Sequence, residues 1–461
     1  MFINKFLRWG ALTTISISLI ACQSTNEQAT TKSVTTVPLT LERIYQESEF
    51  SSQWLGQIRW LADGSGYTAI EKSNKAAIGE TDSQQTTNVG EDIVFYDPNS
   101  LDRQVLIFAE QLIPSNKETP LSIDNYLWSD DRSQVLIYTN SKKVWRSKSR
   151  GDYWILNLLT NKLSQLGGKA VKESSLMFAK FSPDGKKVAY VVDNNIYVET
   201  IKNNNITQLT FDAGNGLING LFDWVYEEEF SIRDGFSWSP DGKSIAYWQL
   251  DTSGSKDFIM INNTDELYPT LTTFPYPKVG EENALAKIGI VNVKSAKTTW
   301  AKLPNNSREM YVPRMNWSGN SEQVLIQHVN RKQDTNKLYL TNINTGAVDL
   351  ILTEQEESFL DFYDDAKWLE NGTDFIWKSE RSGWRHIYKV SRDGSTMVNL
   401  TPGEFDITDL QTIDEKNGWI YFIASPDNVA QRYLYRSKLD GSFSNQRITP
   451  EQYSGSNRYQ M

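Results

Sequence analysis

The sequence predicts an all-β protein, a β-propeller of about seven four-stranded blades. Three observations carry that prediction. The first is composition: the 461 residues include 15 Trp, 21 Tyr and 19 Phe but only 7 Met. Aromatic enrichment with dispersed Gly and Asp favours pleated strands over helices. The second is a recurring unit, in which an aromatic residue precedes a small polar turn and an apolar run. Phe181-Ser-Pro-Asp-Gly-Lys-Lys-Val-Ala-Tyr190 and Trp238-Ser-Pro-Asp-Gly-Lys-Ser-Ile-Ala-Tyr247 are the clearest copies, with Trp128-Ser-Asp-Asp-Arg-Ser-Gln-Val-Leu-Ile-Tyr138 beside them. The third is spacing. Copies recur roughly every 50 to 80 residues, close to the length of a propeller blade.

The chain opens on an export signal. Lys5 and Arg8 form a basic start, Trp9 to Ile20 a short apolar run, and Leu19-Ile20-Ala21-Cys22 matches a bacterial lipobox, in which the cysteine is acylated. The run is too short and polar for a stable membrane span. Cys22 is the only cysteine, so no disulfide forms within the chain. The expected organisation is a lipoprotein signal peptide over 1–22 and a Ser/Thr/Gln-rich flexible tether over 23–38. A propeller domain then occupies 39–461. Gln23 after Cys22 implies sorting to the outer membrane, facing the periplasm, with the acylated Cys22 held in the lipid bilayer.

Each blade unit is a hairpin. Pro sets φ at the second turn position, and Asp-Gly supplies the positive φ that closes the turn. The apolar run that follows is a strand. Weaker copies begin at Trp60, Trp317 and Trp368, and Gly418-Trp-Ile-Tyr-Phe-Ile423 is a seventh strand without the full motif. Further strands follow the units, such as Asp193-Asn-Asn-Ile-Tyr-Val-Glu199 and Gly383-Trp-Arg-His-Ile-Tyr-Lys-Val390. Strand, tight turn, strand and return make a four-stranded meander.

The segment Asp223-Trp-Val-Tyr-Glu-Glu-Glu-Phe230 stands apart. Two unit charges about 4 Å apart repel by roughly 4 kcal/mol at an effective dielectric of 20. A semi-buried acidic triplet therefore asks for a cation, and the free amino terminus of a peptide is one. Taken alone, the triplet reads more readily as a solvated acidic face.

Its surroundings decide between these. The stretch from Asp223 to Phe230, then Phe236 to Tyr247, then Phe274-Pro-Tyr-Pro-Lys-Val-Gly280, resembles the propeller domain of the dipeptidyl peptidase IV family in order and spacing. These are serine aminopeptidases that remove dipeptides from peptide N-termini. The resemblance extends from about Leu39 to the C-terminus. It implies an eight-bladed ring followed by an α/β-hydrolase domain, so about seven blades here read as an incomplete ring that stops before its last blade. It also implies that Glu228 and Glu229 grip the substrate ammonium and that Arg146, in Val144-Trp-Arg-Ser147, binds the substrate backbone carbonyl and pairs with the glutamates. A short helical turn would let both glutamates converge on one cation, since successive side chains lie about 100° apart on a helix. Glu227 is left a structural or solvent-facing role. An aromatic between Phe359 and Tyr363 is expected to line the pocket. The expected partners are peptides with a free N-terminus, and the resemblance adds a homodimer.

Other chemistries find little support. No Gly-x-Ser-x-Gly elbow occurs, and His328 and His386 lie in strand-like runs, so no catalytic residue is assigned. No metal-ligand spacing and no phosphate-cradling loop appear, so neither metal nor cofactor is expected. A net charge of −10 without basic runs argues against nucleic acid. The reading is the recognition portion of a lipid-anchored dipeptidyl aminopeptidase. The alternative is a non-catalytic periplasmic propeller lipoprotein that binds peptides or envelope proteins.

Overall fold

The computed structural model describes residues 38–461 except 48, 52–57, 74–89, 169–170, 305–307, 363–365 and 460. Cys22 and the signal and tether segments up to residue 37 lie outside the described residues. The chain divides into two compact units, 1–55 and 56–461. In the first, the described residues carry one short π-helical turn, Glu42–Gln46.

The second unit is a β-propeller, as the turn repeat predicts, with seven antiparallel blades among the described residues. They span residues 59–107, 125–165, 176–208, 236–300, 310–355, 367–399 and 407–447. Consecutive strands of a blade are hydrogen-bonded neighbours. Blades 2 and 3 also join edge to edge, where Arg150 and Gly151 pair with Met177 and Leu176, so they form one eight-stranded sheet. Blade 4 carries an additional edge strand, Leu217–Asn219, and a separate two-stranded hairpin, Asp257–Asn262 with Thr270–Pro275.

The repeated motif is the first hairpin of a blade. In blade 3, the Gly185 N–H donates to Ser182 O at 2.8 Å, and Gly185 takes φ +65°. The Ser182 hydroxyl donates to Asp184 Oδ1 at 2.7 Å and accepts from the Lys187 N–H at 3.0 Å. The same pattern recurs at Ser239, Asp241 and Gly242 in blade 4. Serine and aspartate are thus selected by local hydrogen bonds that close the turn. The aromatic before the turn has a different task. Trp238 of blade 4 donates its indole N–H to Lys180 O of blade 3, and Trp317 of blade 5 donates to Ser237 O of blade 4. Each ring latches its blade to the preceding one. In blade 7 the segment beginning at Gly418 forms the second strand, Trp419–Ala424.

The core lies between blades. Val188, Tyr190 and Val192 pack against blade 2, while Ala189 and Val191, on the same strand, pack against blade 4. Ile245 and Tyr247 face blade 3, and Ala246, Trp248 and Leu250 face blade 5. A strand buried on both faces reads as a continuous apolar run, with period-two alternation deciding which neighbour each side chain meets.

Candidate functional site

The acidic triplet folds as a single helical stretch, Trp224–Glu229. Asp223 caps it, its Oδ1 accepting the Tyr226 N–H at 3.1 Å. The phase is set by aromatics one turn apart. Phe222, Tyr226 and Phe230 are buried in the core between blades 4 and 5, and the Tyr226 hydroxyl accepts the Val312 N–H at 3.1 Å. With that face inward, the three glutamates point in different directions, and each has a different environment.

Glu227 is buried. Its Oε2 lies 3.7 Å from Arg233 Nε, and neither atom has a hydrogen-bond partner among the described residues. Asp223 Oδ2 is likewise buried without one. Burial pushes the Glu227 carboxyl up to about 7; the Arg233 charge pulls it down, while Glu228 and Asp223 push it further up. Burial also raises Asp223, to about 6, against the hydrogen bonds that its cap accepts.

Glu228 is half-buried. Its Oε1 accepts a hydrogen bond from Arg146 Nε at 2.8 Å, across 82 residues of chain. Arg146 occupies the tip of a long blade 2 hairpin, Gln134–Val144 with Ser147–Asn157, where Val144 pairs with Ser147 and leaves Trp145 and Arg146 as the loop. Trp145 takes φ +53°, a left-handed conformation that is costly for a bulky residue. Packing offsets that cost: its ring lies edge-on to Phe274 at 4.2 Å between centroids. Phe274 and Tyr276 both contact Phe258, and Tyr276 lies 4.3 Å from Trp224 on the acidic helix. An aromatic clasp therefore runs from the residue before Arg146 to the residue one turn before Glu228.

Glu229 is exposed and forms no hydrogen bond or ion pair among the described residues. The structure brings Arg146 and Glu228 together and leaves Glu229 outside that contact. Phe359 is exposed and joins Phe362, which packs on Phe230; Tyr363 lies outside the described residues. His328 and His386 are buried strand residues. His328 Nε2 lies 2.8 Å from Met310 Sδ, and His386 Nε2 lies 3.1 Å from Gly403 O. Burial lowers both imidazoles. Among the described residues no cluster of His, Cys, Asp and Glu suits a metal ion, and no helix is long and apolar enough to cross a membrane.

This site sits within residues 129–461, which match the family model of the dipeptidyl peptidase IV N-terminal region. The chain belongs to that family. Among its relatives of the dipeptidyl peptidase IV type, dipeptidyl-aminopeptidase B of Aspergillus niger is 25% identical over 446 residues, covering 88% of this chain and 47% of the relative. Inactive dipeptidyl peptidase 10 of Mus musculus is 28% identical over 330 residues, covering 68% and 41%. The crystal structure of Porphyromonas gingivalis dipeptidyl peptidase 4 superposes with a TM-score of 0.79 at 27% identity, over 92% of this chain and 56% of that one. The chain spans less than half the length of these two curated relatives.

Sequence reasoning missed two parts of this site. Arg233, in the loop after the helix, was not singled out. The clasp residues Trp145, Trp224, Phe274 and Tyr276 were noticed only as motif letters. Their signal was present: aromatics flank both the arginine and the acidic run.

Proposed function

We propose that this chain is the substrate-recognition propeller of a lipid-anchored, dipeptidyl peptidase IV-like serine aminopeptidase. Glu228, with Glu229 beside it, receives the free ammonium of a peptide, and Arg146 binds the backbone carbonyl that follows. The observation that carries this reading is the Arg146–Glu228 hydrogen bond at 2.8 Å between distant parts of the chain. Arg146 uses Nε alone, and its side chain is 78% exposed, so its outer nitrogens remain open to a carbonyl. Glu228, half-buried at a helix edge, offers a partly desolvated carboxylate to a cation.

In this reading bond cleavage falls to a hydrolase domain outside these 461 residues. Acylated Cys22 holds the protein on the outer membrane, facing the periplasm. The hairpin Asp257–Asn262 with Thr270–Pro275 exposes Ile259, Met260, Ile261 and Leu271 together, and this supports a homodimer formed through it. A second reading, a non-catalytic peptide-binding lipoprotein, is favoured by one observation: the likeness extends to a relative named as inactive.

The test is binding of trialanine and of N-acetyl-trialanine by calorimetry. The amine form should bind, the acetylated form should not, and Glu228→Gln should weaken binding about tenfold or more with an unchanged circular dichroism spectrum. That figure corresponds to one charge-assisted hydrogen bond of about 1.5–3 kcal/mol. Equal binding of both peptides would remove the role assigned to Glu228.

A further inference from the structure

We infer that Glu227 and Arg233 are positioning residues for this grip, a buried acid–guanidinium couple that ties binding of a cationic chain start to release of a proton. The inference rests on the reading of Glu228 just given. Geometry is its ground. Glu227 immediately precedes Glu228 on the same helix, and its Oε2 stops 3.7 Å short of Arg233 Nε. Both atoms are buried, and among the described residues neither is hydrogen-bonded. A buried polar atom left unpaired costs about 1–3 kcal/mol, so such a couple gains by closing. Arg233 and Asp234 line a cavity of about 370 Å³ with Ser149, Tyr153 and Lys180. The Arg233 side chain is 32% exposed.

The charged groups acting on Glu227 are few. Asp223 and Glu228 belong to its own helical segment, and Arg233 comes from the loop that follows. On the cavity wall, Lys180 and Asp234 are paired with each other at 2.5 Å. In the free protein Glu227 holds a proton through much of the neutral range, because burial and two neighbouring acids disfavour its charge. An ammonium seated at Glu228 reverses that balance, since a nearby cation favours the carboxylate. The Glu227 O–H then gives its proton to solvent. The new carboxylate draws the Arg233 Nε–H into a hydrogen bond, and the helix edge carrying Glu228 is fixed by that bond.

Calorimetry of trialanine binding in two buffers of different ionisation enthalpy counts the proton. If the bound cation lowers the Glu227 titration by about one pK unit, about half a proton leaves per peptide at pH 6.5. Affinity then tightens about fourfold from pH 5.5 to 7, a range in which the peptide amine stays charged. Glu227→Gln should bind the peptide with no such release. Arg233→Gln removes the cation that holds the Glu227 titration down, so its release at pH 6.5 should fall below that of the wild type; this variant reads the same step if Glu227→Gln does not fold. Equal proton counts in wild type and variants overturn the inference while leaving the grip on the amine intact. If trialanine and its acetylated form bind alike, the Glu228 reading falls and this inference falls with it.

Discussion

Replacing Glu227 with Gln should change how stability depends on pH. The carboxyl is raised to about 7 in the folded protein from an ordinary value near 4.5. The folded state therefore binds more protons than the unfolded state between those limits. Stability from this group is fully present below about pH 4.5 and is lost as pH rises through about 7. The shift is about 2.5 pK units, and at about 1.4 kcal/mol per unit it amounts to about 3.5 kcal/mol at most. Glutamine keeps the shape and stays neutral, so the variant lacks this loss. The Glu227→Gln protein should match the wild type near pH 4.5 and become progressively more stable than it up to pH 7.5. Asp223, raised to about 6, contributes a loss of the same sign over a lower range, but it is present in both proteins and cancels in the comparison. Thermal unfolding followed by tryptophan fluorescence at half-unit pH steps is the assay. A difference between the two melting curves that stays constant from pH 4.5 to 7.5 refutes the reasoning, because Glu227 would then be ionised as it is in water.

The remaining expectations concern the clasp, the anchor and the hairpin. Trp145→Ala removes the ring packed on Phe274 and frees the loop that presents Arg146; trialanine affinity should fall about fivefold, the equivalent of about 1 kcal/mol of aromatic contact, with blade stability unchanged. Cys22→Ser should move the protein from the membrane fraction to the soluble fraction on ultracentrifugation, and a variant that still pellets argues against lipidation. Ile261, 62% exposed on the blade 4 hairpin, should become intolerant of association when charged; Ile261→Asp should sediment as a monomer under conditions in which the wild type sediments as a dimer.

What could be read from the sequence was local, and what could not was set by distance or by phase. The turns of blades 3 and 4 close within a few residues, through Ser182 with Asp184 and Ser239 with Asp241, so four letters were enough to place them. The copy at Gly418 lacks that chemistry, and the sequence alone found its strand but not its place as the second of the blade. Arg146 meets Glu228 across 82 residues, and no local pattern joins them; only the family resemblance did. The unequal fates of the three glutamates look illegible, because three identical letters carry no periodicity. Their neighbours do carry it. Phe222, Tyr226 and Phe230 repeat every four residues and mark the inward face. On a helix of 3.6 residues per turn, position 227 lies about 100° from Tyr226, and Asp223 stands one turn before it. Glu228 falls over Trp224, beside the clasp, but Glu229 lies only about 60° from the Tyr226 direction, nearer the inward face than Glu227, so helical phase alone does not tell the buried glutamate from the exposed one. The expectation that Glu228 and Glu229 converge on one cation rested on a helical turn that sets neighbouring side chains about 100° apart; in the structure Glu228 meets Arg146 and Glu229 is exposed. The structure buries Glu227, sets Glu228 against Arg146 and leaves Glu229 exposed, and the proton-holding role proposed for Glu227 rests on that division.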